Sequence, residues 1–117
     1  LADYDNALKY AYDMLDFAEK NKDVSAQANA MNGIGSVYYT SGENKKAVDI
    51  LKKGLGLAEK LGDKNLMSRI QDGIGSAYFN LKNIEQSIIY KKDSLVTARS
   101  IGLKHVEAYA IEVCAKR

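Results

Sequence analysis

Apolar side chains recur along this chain at steps of three and four, and short polar turns interrupt the pattern. That spacing predicts a series of amphipathic helices. Residues 3–20 put Tyr4, Leu8, Ala11, Leu15 and Ala18 on one stripe, with Ala7 and Met14 beside them. Asn21-Lys22-Asp23 breaks the helix, and Asp23 or Ser25 can cap the next one by accepting a backbone N–H. A second helix over 25–41 carries Ala30, Ile34, Val37 and Tyr38 and ends at Thr40-Ser41-Gly42. The third, 43–61, uses Ala47, Leu51, Leu55, Ala58 and Leu61; Gly62 terminates it and Asp63 caps the fourth. The fourth, 64–81, buries Leu66, Ile70, Ile74, Ala77 and Tyr78, and its following turn, Lys82-Asn83, lacks the glycine found at Gly42. The fifth, 84–101, has the stripe Ile84, Ile88, Leu95, Ala98 and Ile101. Lys91 interrupts it, and its aliphatic stem is expected to cover apolar surface while the ammonium reaches water. Gly102 is expected to stop this helix, and a sixth follows from 104 through Val106, Ala110, Val113 and Cys114. The expected class is all-α: six antiparallel helices joined by short connections and stacked as a solenoid.

The order is periodic. Gly33-Ile34-Gly35-Ser36-Val37-Tyr38-Tyr39 returns as Gly73-Ile74-Gly75-Ser76-Ala77-Tyr78-Phe79, and residues 33–72 lie over 73–112 without a gap. Residues 1–32 fit the same frame over 41–72, matching at Ala7/Ala47, Leu15/Leu55 and Asp23/Asp63 among others. Self-similarity at a fixed period marks stacked repeats rather than one irregular core.

Within each unit a glycine is followed at +3 by tyrosine, as Gly35/Tyr38 and Gly75/Tyr78. Small residues follow at +12 (Ala47, Ser87) and +19 (Gly54, Ser94), and leucine at +20 (Leu55, Leu95). This pattern resembles the tetratricopeptide repeat, a hairpin of helix A and helix B. The common repeat is 34 residues and closes with proline; here the period is 40, without proline, similar to the long-repeat variants. The resemblance implies a right-handed superhelical solenoid, a single array over 1–117. Residues 1–22 are then helix B of a partial repeat, 23–62 and 63–102 full repeats, and 103–117 helix A of another partial one. Opening on a B helix and closing on an A helix, the array is expected to expose apolar surface at both ends and to associate end to end. The start at Leu1, already inside a repeat, suggests a piece of a longer protein.

Composition narrows the chemistry. The 117 residues include no proline, in keeping with an all-helical chain, and no apolar run of membrane-spanning length. Seventeen basic and 15 acidic residues leave a net charge of +2, too small a field to draw polyanions. The lysine pairs 45–46, 52–53 and 91–92 read as solvated faces, without interleaved aromatics to stack bases, so nucleic acid is not expected as a partner. The glycine motif falls inside a helix with no strand before it, unlike a phosphate-cradling loop. His105 and Cys114, nine residues apart on one helix, point to opposite faces. One histidine and one cysteine make no metal site and no internal disulfide, and Cys114 reads as a small buried hydrophobe. No catalytic constellation, cofactor site or metal site is expected.

In arrays of this kind the A helices line the concave side, so their non-core faces are the candidate contact surface. These are Asn29, Asn32, Ser36, Tyr39 and Thr40, then Arg69, Asp72, Ser76, Phe79 and Asn80, and in the last helix Tyr109, Glu112 and Lys116. Tyr39 and Phe79 either face a partner or pack between adjacent A helices, and the polar members either bind or are simply solvated. Peptide-clamping members of the family grip a terminal carboxylate with basic and asparagine side chains. Here Ser36 and Ser76 hold the paired positions and Asp72 is acidic. The expected function is a non-enzymatic protein- or peptide-binding scaffold. A sensing region of a bacterial signalling protein or transcriptional regulator and a homo-oligomerisation element are the alternatives.

Overall fold

The computed structural model describes residues 3–115, with side chains described for 3–102. Within it the chain forms α1 (Tyr4–Lys20), α2 (Val24–Thr40), α3 (Asn44–Leu61), α4 (Lys64–Asn80) and α5 (Ile84–Ala115). Each helix packs on the next, and α2 also meets α4 directly. These two form an inner row, with α1, α3 and α5 outside it.

One device builds every turn. Lys22, Gly42, Gly62 and Lys82 take positive φ (54°, 88°, 68° and 64°) one or two residues past a helix end. The following N–H reaches back five residues: Asp23 to Ala18 O, Glu43 to Tyr38 O, Asp63 to Ala58 O and Asn83 to Tyr78 O. This left-handed cap satisfies carbonyls that the helix leaves unpaired. The two turns without glycine therefore close like the others, with Lys22 and Lys82 accepting the strain. Asp23, Asp63 and Asn83 then cap the next helix, accepting from the N–H of Ala26, Leu66 and Gln86. At the second helix the cap is Asp23, and Ser25 lies inside the helix.

The expected break at Gly102 does not occur, and α5 runs on to Ala115. Where Asp63 follows Gly62, Leu103 follows Gly102, and leucine has no side-chain acceptor to start a new helix. Glycine permits a stop but does not impose one. The sixth helix is thus continuous with the fifth, giving five helices rather than six. The side chains of His105, Val106, Ala110, Val113 and Cys114 lie outside the described residues.

The main core joins α2, α3 and α4 through Ala28, Ala47, Val48, Leu51, Leu55, Ala58, Leu66, Ile70, Ile74 and Ala77. A smaller cluster of Leu15, Ala30 and Ile34 seats α1 on α2. Fully burying each of the large aliphatic side chains contributes about 1.5–3 kcal/mol. Tyr38 and Ile50 touch both clusters and link them. Gly35 lets the two repeat helices approach: a Cβ there would collide with Leu51, itself in the core.

Three expected stripes need correction. Ala7 and Met14 of α1 are exposed, as is Leu61 at the end of α3. In α5, Ile84, Ile88, Leu95 and Ala98 face outward, and Ile101 is half-buried. The α3 equivalents Val48, Leu55 and Ala58 lie in the core with Leu66, Ile70 and Ile74 of α4. Among the described residues no helix follows to cover the same face of α5.

Instead α5 meets α4 through polar groups. Ser87 Oγ donates to Gly75 O (2.8 Å), Thr97 Oγ1 to Gln71 Oε1 (2.9 Å), and Ser94 Oγ to Ser68 O (2.8 Å). The equivalent positions one repeat earlier are Ala47, Met31/Leu57 and Ala28/Gly54, an apolar layer. The second hairpin keeps the geometry of the first and exchanges dispersion contacts for hydrogen bonds.

Candidate functional site

Between α2 and α4 runs a groove of about 510 Å³. Its walls are Asn32, Ser36 and Tyr39 from α2 and Arg69, Asp72 and Ser76 from α4; Gly35, Leu51 and Gly73 form the floor. The walls arise from helical spacing. Residues at 32, 36 and 39, and at 69, 72 and 76, each share a helix face turned away from the core stripe. Small floor residues keep the groove open, since a Cβ on Gly73 would sit 3.3 Å from Leu51 Cδ1.

Six of the thirteen candidate residues therefore meet in one place. The others do not. Asn29 is turned to its own helix, with Nδ2 donating to Ser25 O at 2.9 Å. Thr40 lines a separate shallow depression with Tyr4 and Ala7, and its hydroxyl donates to Ser36 O at 2.7 Å. Asn80 bridges to Asn44 of α3, Nδ2 to Oδ1 at 3.3 Å. Phe79 is 62% exposed and outside the groove, while Tyr39 is half in it at 37%; neither is buried between the inner helices. The side chains of Tyr109, Glu112 and Lys116 lie outside the described residues.

Lys91 is the group that sequence reading placed differently. It occupies the position of Leu51 one repeat on, and its stem passes over Gly75, where a Cβ would meet Lys91 Cγ at 2.9 Å. The ammonium turns inward, with Nζ 2.8 Å from Asp72 Oδ1 and 2.7 Å from Ser76 Oγ. The signal was the pairing of a lysine at an otherwise apolar position with an aspartate one helix away. Arg69 has no carboxylate paired with it among the described residues. Ser68 and Ser94 also line the groove; the sequence marks Ser94 only as the small residue at +19 of the repeat and gives no signal for Ser68.

A second seam runs along the outer side. Tyr12 Oη and Tyr38 Oη lie 3.0 Å apart, and Lys46 Nζ stands 5.8 Å from the Tyr38 ring centroid. One repeat on, Lys52 takes the place of Tyr12, with Nζ 5.3 Å from the Tyr78 ring centroid, and Tyr78 stacks on Tyr90 at 5.8 Å. Such cation–aromatic contacts contribute about 0.5–1 kcal/mol at exposed sites. The hydrogen bond to Tyr38, with some burial, pushes the Tyr12 phenol up to about 12. This seam tethers each inner tyrosine to its outer helices.

No helix is long and apolar enough to cross a membrane among the described residues. Residues 28–64 match the family model for the tetratricopeptide repeat, spanning most of α2, all of α3 and the first residue of α4. No curated protein matches the chain.

Proposed function

We propose that this chain, which carries a tetratricopeptide repeat, is a non-enzymatic module that binds a protein or peptide segment in the α2–α4 groove. Tetratricopeptide repeats are in general protein-interaction modules. The observation that carries the reading is the convergence of polar and aromatic walls from two repeats over a small-residue floor. Both helices are fixed by the main core, so the surface exists before a partner arrives and little ordering entropy is lost on binding. An extended or helical segment lying across the inner helices would meet hydroxyls, an amide, both charge signs and the Tyr39 ring.

The test uses a library of displayed random 12-residue peptides selected on the chain. Replacing Arg69→Glu together with Asn32→Ala is expected to weaken the selected peptides at least about tenfold, one charge-assisted contact or more, with helicity unchanged. Equal binding by the double variant would remove the groove from the reading.

A second reading, end-to-end association of two copies, is favoured by the outward faces of α1 and α5. Tyr10, Met14 and Phe17 on one and Ile84, Ile88 and Leu95 on the other are all exposed. The two faces differ, so such contacts are heterologous.

A further inference from the structure

We propose that residues 103–115 of a second copy of this chain cover the bare stripe of α5, each copy giving this segment to the other in a reciprocal exchange about Gly102. The stripe is Ile84, Ile88, Leu95 and Ala98, all exposed in the single chain. One repeat earlier the matching positions Val48, Leu55 and Ala58 are buried in the core with Leu66, Ile70 and Ile74 of α4. What α5 lacks is therefore a helix with apolar residues at the places of Leu66, Ile70 and Ile74. The 40-residue offset of the repeat puts Val106, Ala110 and Cys114 at those places.

A chain cannot supply that helix to itself while α5 is continuous. The helix runs unbroken from Ile84 to Ala115, so residues 103–115 project past the stripe instead of turning back on it. In a second copy set antiparallel, with a two-fold axis at Gly102, each projecting segment lies along the other copy's stripe. This is the sense in which α4 follows α3 across the Gly62 turn. The exchange keeps the contact of the repeat and changes only which chain provides it, which makes it a domain swap.

Two-fold symmetry makes the contact twice. The projecting segment is about 20 Å long and 10–12 Å across, so stripe and segment together give each copy a footprint on the order of 400–500 Å². Side-chain relief raises the accessible area above the footprint, toward the ~800 Å² per partner of a stable interface. The exchanged segment also stands where a third inner helix would follow α2 and α4. Tyr109 and Glu112 hold the register positions of Arg69 and Asp72, so the second copy prolongs the groove. The exchange does not require the groove to bind anything. It takes the α5 stripe that end-to-end association gives to α1, so those two contacts exclude each other.

The experiment measures mass by sedimentation equilibrium over a wide concentration range, and helicity by circular dichroism, for the full chain and its variants. The wild type should close at two chains and grow no further. Ile88→Lys and Ala110→Lys put a charge into the exchanged contact and should each weaken the dimer at least about tenfold. Leu103→Asp recreates the Gly62-Asp63 pair that turns α3 into α4. Its residues 104–115 should then fold onto their own stripe and give a monomer of unchanged helicity. A Cβ on Gly102 meets nothing within 4 Å, and alanine suits a continuous helix, so Gly102→Ala should keep the dimer. Phe17→Lys should leave it unchanged. A monomeric wild type, a mass that keeps growing with concentration, or a dimer that survives both Leu103→Asp and Ala110→Lys overturns the inference. Loss of association in Phe17→Lys overturns it as well and assigns the stripe to α1. If Leu103→Asp loses helicity, Ala110→Lys decides alone.

Discussion

Gly33 and Gly35 lie two residues apart in the same helix and have opposite reasons to be glycine. A Cβ on Gly33 would meet nothing within 4 Å, whereas one on Gly35 would collide with the Leu51 side chain. Gly33→Ala is expected to stabilise by roughly 0.8–1 kcal/mol, the helix-propensity difference. Gly35→Ala should destabilise by about 1–3 kcal/mol from overpacking, less whatever propensity returns. Urea unfolding midpoints decide between these signs, and equal stabilisation by both would refute the close approach. At the repeat-equivalent Gly75 the obstacle is the Lys91 stem, a flexible chain, so Gly75→Ala should cost less than Gly35→Ala. Tyr12 gives a pH-dependent counterpart at the same scale. Its phenol titrates near 10.0 in an unperturbed chain and about 12 when folded, so over that interval the folded state holds the proton more tightly. The stabilisation is fully present below pH 10.0 and is lost as pH rises through about 12. The stability advantage of wild type over Tyr12→Phe should shrink across that window, as read from urea midpoints at matched pH. An advantage that grows with pH would contradict the Tyr12–Tyr38 hydrogen bond.

The two hairpins, α2–α3 and α4–α5, share one backbone plan and differ in what fills it. Met31/Leu57 and Ala28/Gly54 in the first become Gln71/Thr97 and Ser68/Ser94 in the second. Gln71 is buried, and Thr97 Oγ1 donates to its Oε1 at 2.9 Å. Thr97→Val leaves that acceptor short of a partner and should cost about 1–3 kcal/mol. Combining Gln71→Met with Thr97→Leu restores the first hairpin's pair and should recover most of the loss, as measured in a double-mutant cycle. Strict additivity of the two sites would argue against the contact. The helices and turns themselves were readable in advance, because stripes and acidic caps are local. Two readings failed at this scale, the first for a local reason and the second for a non-local one. Gly102 resembled Gly62, yet Leu103 supplies no cap where Asp63 does. The stripe of α5 resembled that of α3, yet burial needs a neighbour, and α3 has α4 where α5 has none among the described residues.

Over the molecule as a whole, the core belongs to α1–α4, and α5 contributes no fully buried apolar side chain among the described residues. Its polar face is turned in and its apolar face out, the reverse of the usual surface helix. At the opposite end, Tyr10, Met14 and Phe17 border a depression of about 360 Å³. If two copies join through these faces, sedimentation coefficients should rise with concentration, and Phe17→Lys or Ile88→Lys should each suppress the rise. A monodisperse monomer at high concentration would set this second reading aside and leave the groove untouched.

By itself the sequence determined the helical class, the spacing of the turns, the repeat and the inner face on which six candidate residues meet. These follow from periodicity, capping and similarity at a fixed offset, all of which act along the chain. Only the tertiary structure decided that Lys91 reaches Asp72 and Ser76 of the groove wall, that Asn29, Thr40, Phe79 and Asn80 do not line it with the others, and that the outer stripe of α5 is bare. Each of these depends on which surface another helix covers, and on how closely two backbones approach at a glycine. A stripe or a charge read along one helix does not contain that information.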